Sequence, residues 1–264
     1  MKRSPTANTL RSLAALAAAL TLAACDGSTA PGASATVQLA APSVAGLSTT
    51  TTAGLSIAGT NGTLVITDIK LVVDEFELKR VGVSSCNDSM PASSADCEEF
   101  ESNLFVADVP LGTGAVTVAN DRIPPGSYDE LEFEVKDLFV DSGDADDASR
   151  ATRIAQVLAQ LRLTYADWPA GASMMVEGTF TPTGGAAQPF RVYFDAEVEV
   201  ETRFATPLVI NQASQGMTIE LRPDIWFKNT DGSVRNVALW NYATTNSLVR
   251  FEVQFETGVE IEID

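Results

Sequence analysis

Histidine is absent from the 264 residues. Its absence excludes Ser-His-Asp and Cys-His catalysis, histidine-ligated zinc and an imidazole general base. Cysteine is scarce, with only Cys25, Cys86 and Cys97. Basic residues number 17 against 35 acidic ones, and the net charge is −18. A chain of that sign repels nucleic acid and anionic lipid head groups, and attracts cations or basic partners. No Gly-rich phosphate loop of the usual spacing is present. After residue 25 no apolar run reaches the about 20 residues that a membrane span needs.

What is there begins with the first 25 residues. Lys2, Arg3 and Arg11 flank and precede an apolar stretch from Leu13 to Leu22, which ends in Leu22-Ala23-Ala24-Cys25. This resembles a bacterial lipoprotein signal, a segment removed in processing. The resemblance implies that residues 1–25 are the signal and that Cys25 is acylated and becomes the first residue. Several acyl chains anchor firmly, since each buried methylene contributes about 0.8 kcal/mol. The alternative is an ordinary cleaved secretory signal with Cys25 incidental. On the lipoprotein reading the chain sits in the cell envelope, lipid-anchored and facing the periplasm or the exterior. Asp26 resembles an inner-membrane retention signal of Gram-negative sorting, a rule that varies between lineages, so both membranes stay open. All 35 acidic residues follow Cys25, whereas only 14 of the 17 basic ones do.

With Cys25 assigned to the anchor, Cys86 and Cys97 remain as a pair in an oxidising compartment, where a disulfide is expected. The polar loop between them would be closed by a bond contributing about 2–3 kcal/mol in the chain-entropy model. A two-cysteine metal site is the rival reading.

Residues 26–53 are rich in Ala, Ser, Thr, Pro and Gly and contain no aromatic residue, the composition of a flexible tether. Beyond them, period-two alternation dominates. Val192, Phe194, Ala196, Val198 and Val200 alternate with Arg191, Tyr193, Asp195, Glu197, Glu199 and Glu201, which predicts one half-buried strand with a charged outer face. Leu131, Phe133 and Val135 repeat the pattern, as do Phe251, Val253 and Phe255, and Val259, Ile261 and Ile263. Further strands are expected at 64–80, 103–109, 114–119, 174–181, 206–210 and 216–222. Asn61-Gly62, Thr183-Gly184-Gly185 and Asp231-Gly232 supply turns. One segment differs: Ser149 as a cap, with Ile154, Val157, Leu158 and Leu161 at helical spacing, predicts a helix ending before Trp168-Pro169. The expected fold is all-β, an antiparallel β-sandwich with one short connecting helix. Residues 54–140 and 165–264 form either two small sandwiches or one extended sandwich, with 141–164 as acidic loop and helix.

The run from Gly62 to Leu78, and Ile123-Pro124-Pro125-Gly126-Ser127-Tyr128 leading into Leu131-Glu132-Phe133-Glu134-Val135, resemble bacterial lipoproteins with a prealbumin-like (transthyretin-like) sandwich domain of unknown function. Val176 to Phe180, Asp224 to Phe227, Asp231-Gly232 and Asn246 to Phe251 are similar to the distal half of such lipoproteins. The resemblance implies a β-sandwich, prealbumin-like or Ig-like, and brings no catalytic residues.

Three constellations remain. Asp141, Asp144, Asp146 and Asp147, with Gly143 between them, fit the oxygen-rich flexible loops that hold calcium, although they lack the spacing of an EF-hand. The reading that this composition favours over calcium is a solvated acidic loop that caps the following helix. Trp240 and Tyr242 lie near turns, where exposed rings stack on sugars, or else they pack in the core, as expected for Trp226. Paired carboxylates for glycoside hydrolysis would have to face each other across a cleft. The functional expectation is a non-enzymatic binding or assembly lipoprotein, with no cofactor unless calcium. Its expected contacts are the membrane through its lipid and an envelope protein or glycan, and not nucleic acid. A calcium-dependent carbohydrate-binding module is the alternative, and a carboxylate-based hydrolase ranks last.

Overall fold

The computed structural model describes residues 33–40, 48–49, 54–81, 100–102, 104–111, 115–119, 122–123, 126–140, 148–211, 215–251, 255 and 257–263. Cys25, Cys86, Cys97 and the aspartates at 141, 144, 146 and 147 lie outside these residues. The chain is mostly β, with few helices. Residues 31–264 form one compact unit, and residues 1–30 a separate one that lies outside the described residues. Among the described residues no helix is long and apolar enough to cross a membrane.

The strands in chain order are β1 (Ala33–Ala40), β2 (Ser48–Thr49), β3 (Leu55–Gly59), β4 (Gly62–Arg80), β5 (Phe100–Glu101), β6 (Phe105–Asp108), β7 (Ala115–Ala119), β8 (Arg122–Ile123), β9 (Gly126–Val135), β10 (Met174–Pro182), β11 (Gln188–Asp195), β12 (Val198–Ile210), β13 (Gln215–Leu221), β14 (Val249–Arg250) and β15 (Val259–Ile263). The helices are α1 (Ala148–Thr164), α2 (Pro223–Phe227) and α3 (Tyr242–Thr245), with a 3-10 turn at Val237–Trp240. A ten-stranded sheet has the path β12-β9-β4-β10-β11-β14, with β3, β5 and β6 also paired to β4 and β2 to β3; a five-stranded sheet has the path β15-β13-β1-β7, with β8 also paired to β1.

The long strand β4 organises the larger sheet. On one side β6 pairs with Lys70 to Val73. On the other side Leu71 pairs with Met174 of β10, and Val73 pairs with Val135 of β9. β9 and β10 therefore lie end to end along the same edge of β4, and the partner changes at Val72. The same handover occurs on their far side, where β10 pairs with β11 and β9 with β12. Residues 136–173 leave the sheet between the two collinear strands, carry α1 across its outer face, and return. The Leu138 N–H donates to the Ala170 carbonyl (2.8 Å) and closes the base of this excursion.

Ser173 holds the junction. Its N–H donates to the Phe194 carbonyl (3.0 Å), and its carbonyl accepts from Val72 N–H (2.7 Å). Its Oγ donates to the Phe194 carbonyl (3.2 Å) and accepts from Ala196 N–H (2.7 Å). Ser173 is fully buried, so these groups have no access to water.

The core-facing phase of β4 changes twice. Leu64 and Ile66 face the main core, then Ile69, Leu71 and Val73, then Phe76 and Leu78. The register shifts opposite Glu177/Gly178 and between Val73 and Glu75 make Thr67 and Asp74 the extra residues of two β-bulges. Each bulge restores the apolar side to the core, which a strict period of two would otherwise turn to solvent. Gly178 is required at the first: a Cβ there would lie 2.1 Å from the Val65 carbonyl oxygen.

The main apolar cluster draws on both sheets, with Ile69, Phe133, Val176 and Phe194 from the larger and Met217, Ile219 and Leu221 from the smaller. Trp226, Phe227, Phe251 and Phe255 complete it, with Trp226 stacked on Phe255 (4.8 Å between centroids). A second cluster lies under α1, built from Val72, Leu138, Ile154, Leu161, Trp168, Met175 and Tyr193.

Several expectations change. The tether expected over 26–53 contains β1, which pairs parallel with β13 and antiparallel with β7. Parallel pairing makes the smaller sheet mixed rather than antiparallel, and β14 on β11 does the same in the larger. Of the two arrangements expected for 54–140 and 165–264, separate sandwiches give way: both stretches share one sheet, because β9 and β4 of the first interleave with β12 and β10 of the second. Arg191 to Glu201 is divided at Ala196 and Glu197 into β11 and β12, and Tyr193 on its expected outer face is buried beneath the α1 excursion. Phe251 and Phe255 are both buried, but Phe255 N–H donates to the Phe251 carbonyl (3.2 Å), a bond between residues four apart that a strand does not make, and Val253 lies outside the described residues. Residues four apart share a face in a helix as in a strand, so alternation there was ambiguous. Ser149 lies inside α1, which begins at Ala148, rather than before it.

Ser173→Ala removes the acceptor of the buried Ala196 N–H. The expected loss is about 1–3 kcal/mol, the cost of an unsatisfied buried donor, measured by urea denaturation.

Candidate functional site

A groove of about 630 Å³ lies between α1 and the β4–β6 edge of the sheet. It arises because the excursion lays α1 on the outer face, with Ile154 and Leu161 anchored below and the next row of side chains left along the groove. The spacing of Gln156, Gln160 and Thr164 places them on one line of the helix, beside Val157 and Leu161. Phe105 and Val106 of β6 form the opposing apolar wall. Lys70, Asp108, Arg153 and Tyr165 supply the polar rim. The volume and the mixture of apolar walls with a few polar groups fit a ligand pocket.

Two titratable groups of the rim, Lys70 and Tyr165, are tied to neighbouring carboxylates. Lys70 Nζ pairs with Asp68 (2.9 Å) and Asp108 (2.8 Å). Burial opposes its charge, but hydrogen bonds to Asp108 and Asp68 outweigh that and keep its pKa above the ordinary lysine value. The Tyr165 hydroxyl donates to Asp68. Burial first, and then this bond, pushes the Tyr165 pKa up to about 12. Arg153 Nε donates to the Leu104 carbonyl (3.1 Å), and the Arg191 guanidinium lies over the Tyr165 ring (5.3 Å). At neutral pH Lys70 is therefore a cation and Tyr165 a neutral phenol, and both present hydrogen-bond donors at the rim.

A second feature occupies the outer face beyond α1. The register aligns Glu75, Glu134 and Glu199 in one cross-strand row, Glu77, Glu132 and Glu201 in the next, and Lys79, Glu130 and Arg203 in a third. Like charges directly opposite one another repel. Lys79 offsets this, with its ammonium 3.2 Å from Glu130, 3.9 Å from Glu77 and hydrogen-bonded to Glu132. The bond to Glu132 is the main reason its pKa is raised. Arg203 Nε adds a bond to Glu130 (2.7 Å). The charge of Glu132 in turn raises the pKa of Glu199. Glu130, Glu132 and Glu201 bring carboxylate oxygens within 4.8 Å of one another, the spacing of a metal site. Two of the three, Glu130 and Glu132, already pair with the Lys79 ammonium.

The aromatic pair expected to bind ligand is divided. Trp240, on the 3-10 turn, is partly buried against the main cluster. Tyr242 packs on the α1-side cluster, its ring edge-on to Tyr193 (5.0 Å, 88°). Tyr193 donates to Asp167 Oδ1 (2.9 Å), and burial raises its pKa. Trp226 is fully buried, as its core reading expects, with Nε1 donating to the Phe255 carbonyl (3.2 Å). Reasoning from the sequence missed Lys70, Asp108, Gln156, Gln160 and Tyr165. The visible signal was the polar line 156, 160, 164 beside the apolar positions of α1.

Lys79→Met leaves Glu77, Glu130 and Glu132 without their shared ammonium. Hydrogen bonds to charged groups and the partial exposure of Lys79 place the expected loss at about 1–2 kcal/mol at pH 7. The loss shrinks below about pH 4, where carboxylates protonate. Urea midpoints of the two forms at both pH values measure it. No family model, curated protein or solved structure matches the chain.

Proposed function

We propose that this chain is a lipid-anchored envelope protein whose β-sandwich head acts by binding rather than catalysis, and that the groove beside α1 is where it binds. The observation that carries this reading is the groove itself. It has apolar walls, a line of carboxamide and hydroxyl side chains, and a rim where Lys70 is held as a cation and Tyr165 as a neutral phenol. The sandwich is supported by the main cluster, to which both sheets contribute. The anchor rests on the resemblance of Leu22-Ala23-Ala24-Cys25 to a lipoprotein signal, and the acidic surface suits a head held off an anionic membrane.

Gln156, Gln160 and Thr164 offer neutral donors and acceptors next to the rings of Phe105 and Tyr165. Amides and hydroxyls beside aromatic surface suit an uncharged, hydrogen-bonding ligand, either an extended segment of an envelope protein or a glycan. A photo-crosslinking residue placed at Val157 in intact cells should give a discrete adduct, while the same residue at Lys228, on an exposed turn, should give none. Gln160→Arg should weaken that capture about tenfold, equivalent to about 1.4 kcal/mol. Equal labelling from both positions, or capture unchanged by Gln160→Arg, contradicts the groove as the binding site.

A further inference from the structure

Asp74 is the extra residue of the second bulge in β4, and its side chain is only 3% exposed. One oxygen, Oδ2, accepts from Arg150 Nη2 (2.6 Å) and so ties the first turn of α1 to the sheet. The other, Oδ1, is buried and has no hydrogen-bond donor among the described residues. The carboxyl group within hydrogen-bonding reach of Asp74 is that of Glu134 on β9. The surrounding charged groups are Glu75 of β4 and Glu199 of β12, both in register with Glu134, Lys136 of β9 (3.8 Å from Glu134), and Arg150 of α1.

A buried carboxylate oxygen without a donor is costly, and so are two ionised carboxylates in contact. One proton removes both costs. We propose that Asp74 and Glu134 share a single proton, carried on Glu134 and donated to Asp74 Oδ1, and that this proton acts as a latch for α1. With it in place, Asp74 has a donor on each oxygen and holds Arg150. When it leaves, Glu134 turns toward Lys136 and water, Asp74 Oδ1 is left unsatisfied, and the tie to Arg150 loosens. The latch is independent of what the groove binds.

The ionisation of Glu134 agrees with this geometry. Burial is the largest influence and raises its pKa, Lys136 opposes it, and the charge and hydrogen bond of Asp74 raise it further, to about 7. The folded chain then holds a proton that the unfolded chain releases nearer the ordinary value of 4.5. This contribution to stability is complete below the unfolded value and is lost as pH rises through about 7.

The test uses the full chain and two readouts, urea midpoints from pH 5.5 to 8.5 and amide chemical shifts of residues 150–154. In the wild type the midpoint should fall with rising pH, and the shifts should titrate with an apparent pKa near 7. Glu134→Gln supplies a permanent amide donor to Asp74, so it should flatten the fall and abolish the shift titration. Lys136→Met removes the charge that favours ionised Glu134, so it should move the titration upward, and it keeps the test decisive if Glu134→Gln fails to fold. An unchanged pH slope in Glu134→Gln, or an unmoved titration in Lys136→Met, overturns the shared proton. A calcium-dependent rise of the midpoint at pH 8 that Glu134→Gln abolishes also overturns it, by placing a metal ion in the gap.

Discussion

The change of partner along β4 at Val72 is the constraint on which the rest of the molecule depends. β4 and the consecutive strands β11 and β12 run parallel to each other, and the space between them has the width of one strand. The chain fills that space with β10 over one half and β9 over the other. Wherever they meet, the intervening residues have to leave the sheet, and they leave as the excursion carrying α1. Ser173 makes the meeting point tolerable, because it pairs with the Val72 and Ala196 N–H groups and the Phe194 carbonyl across the break in the ladder. The second apolar cluster, the burial of Tyr193 and the groove all follow from where α1 lands.

The same geometry decides how an acidic chain tolerates its own charge. Three strands in register bring glutamates side by side, an arrangement that repels. The repulsion is relieved differently at the two ends of the array. At one end Lys79 and Arg203 enter among the carboxylates and neutralise them. At the other, the bulge turns Asp74 under α1, where Arg150 meets one oxygen and no described protein donor meets the second. Exposed acidic faces keep a protein soluble. A buried acid beside another acid is a different matter, because its ionisation is coupled to the packing of the helix above it.

Much of the β architecture was legible in the sequence. Alternation located β4, β9, β10, β13 and β15, and helical spacing located α1. The bulges were not read from the sequence, although the apolar phase in β4, which passes from 64 and 66 to 69, 71 and 73 and then to 76 and 78, carries their mark. β1 was not legible, since its alanine-rich and serine-rich composition matches a linker, and its strand forms only because β13 and β7 lie on either side. Nor was the break between β11 and β12, because an uninterrupted alternation from 191 to 201 carries no mark of a change of neighbour. The α1-side position of Tyr193 is set by Asp167 and Trp168, about 25 positions earlier, and by Tyr242, 49 positions later, which no local pattern encodes. The groove was invisible for the same reason: Lys70, Phe105 and Gln160 come from three separate segments that only the fold brings together.

Native-state hydrogen exchange along β4 tests the shared sheet most directly. If β9 and β10 close one sheet across the junction, the amides of β4 on both sides of Val72 exchange only through the same global opening, with the same free energy and the same denaturant dependence. Two separate levels of protection, one for residues 62–71 and another for residues 73–80, would mean that the halves open independently and would contradict the single shared sheet.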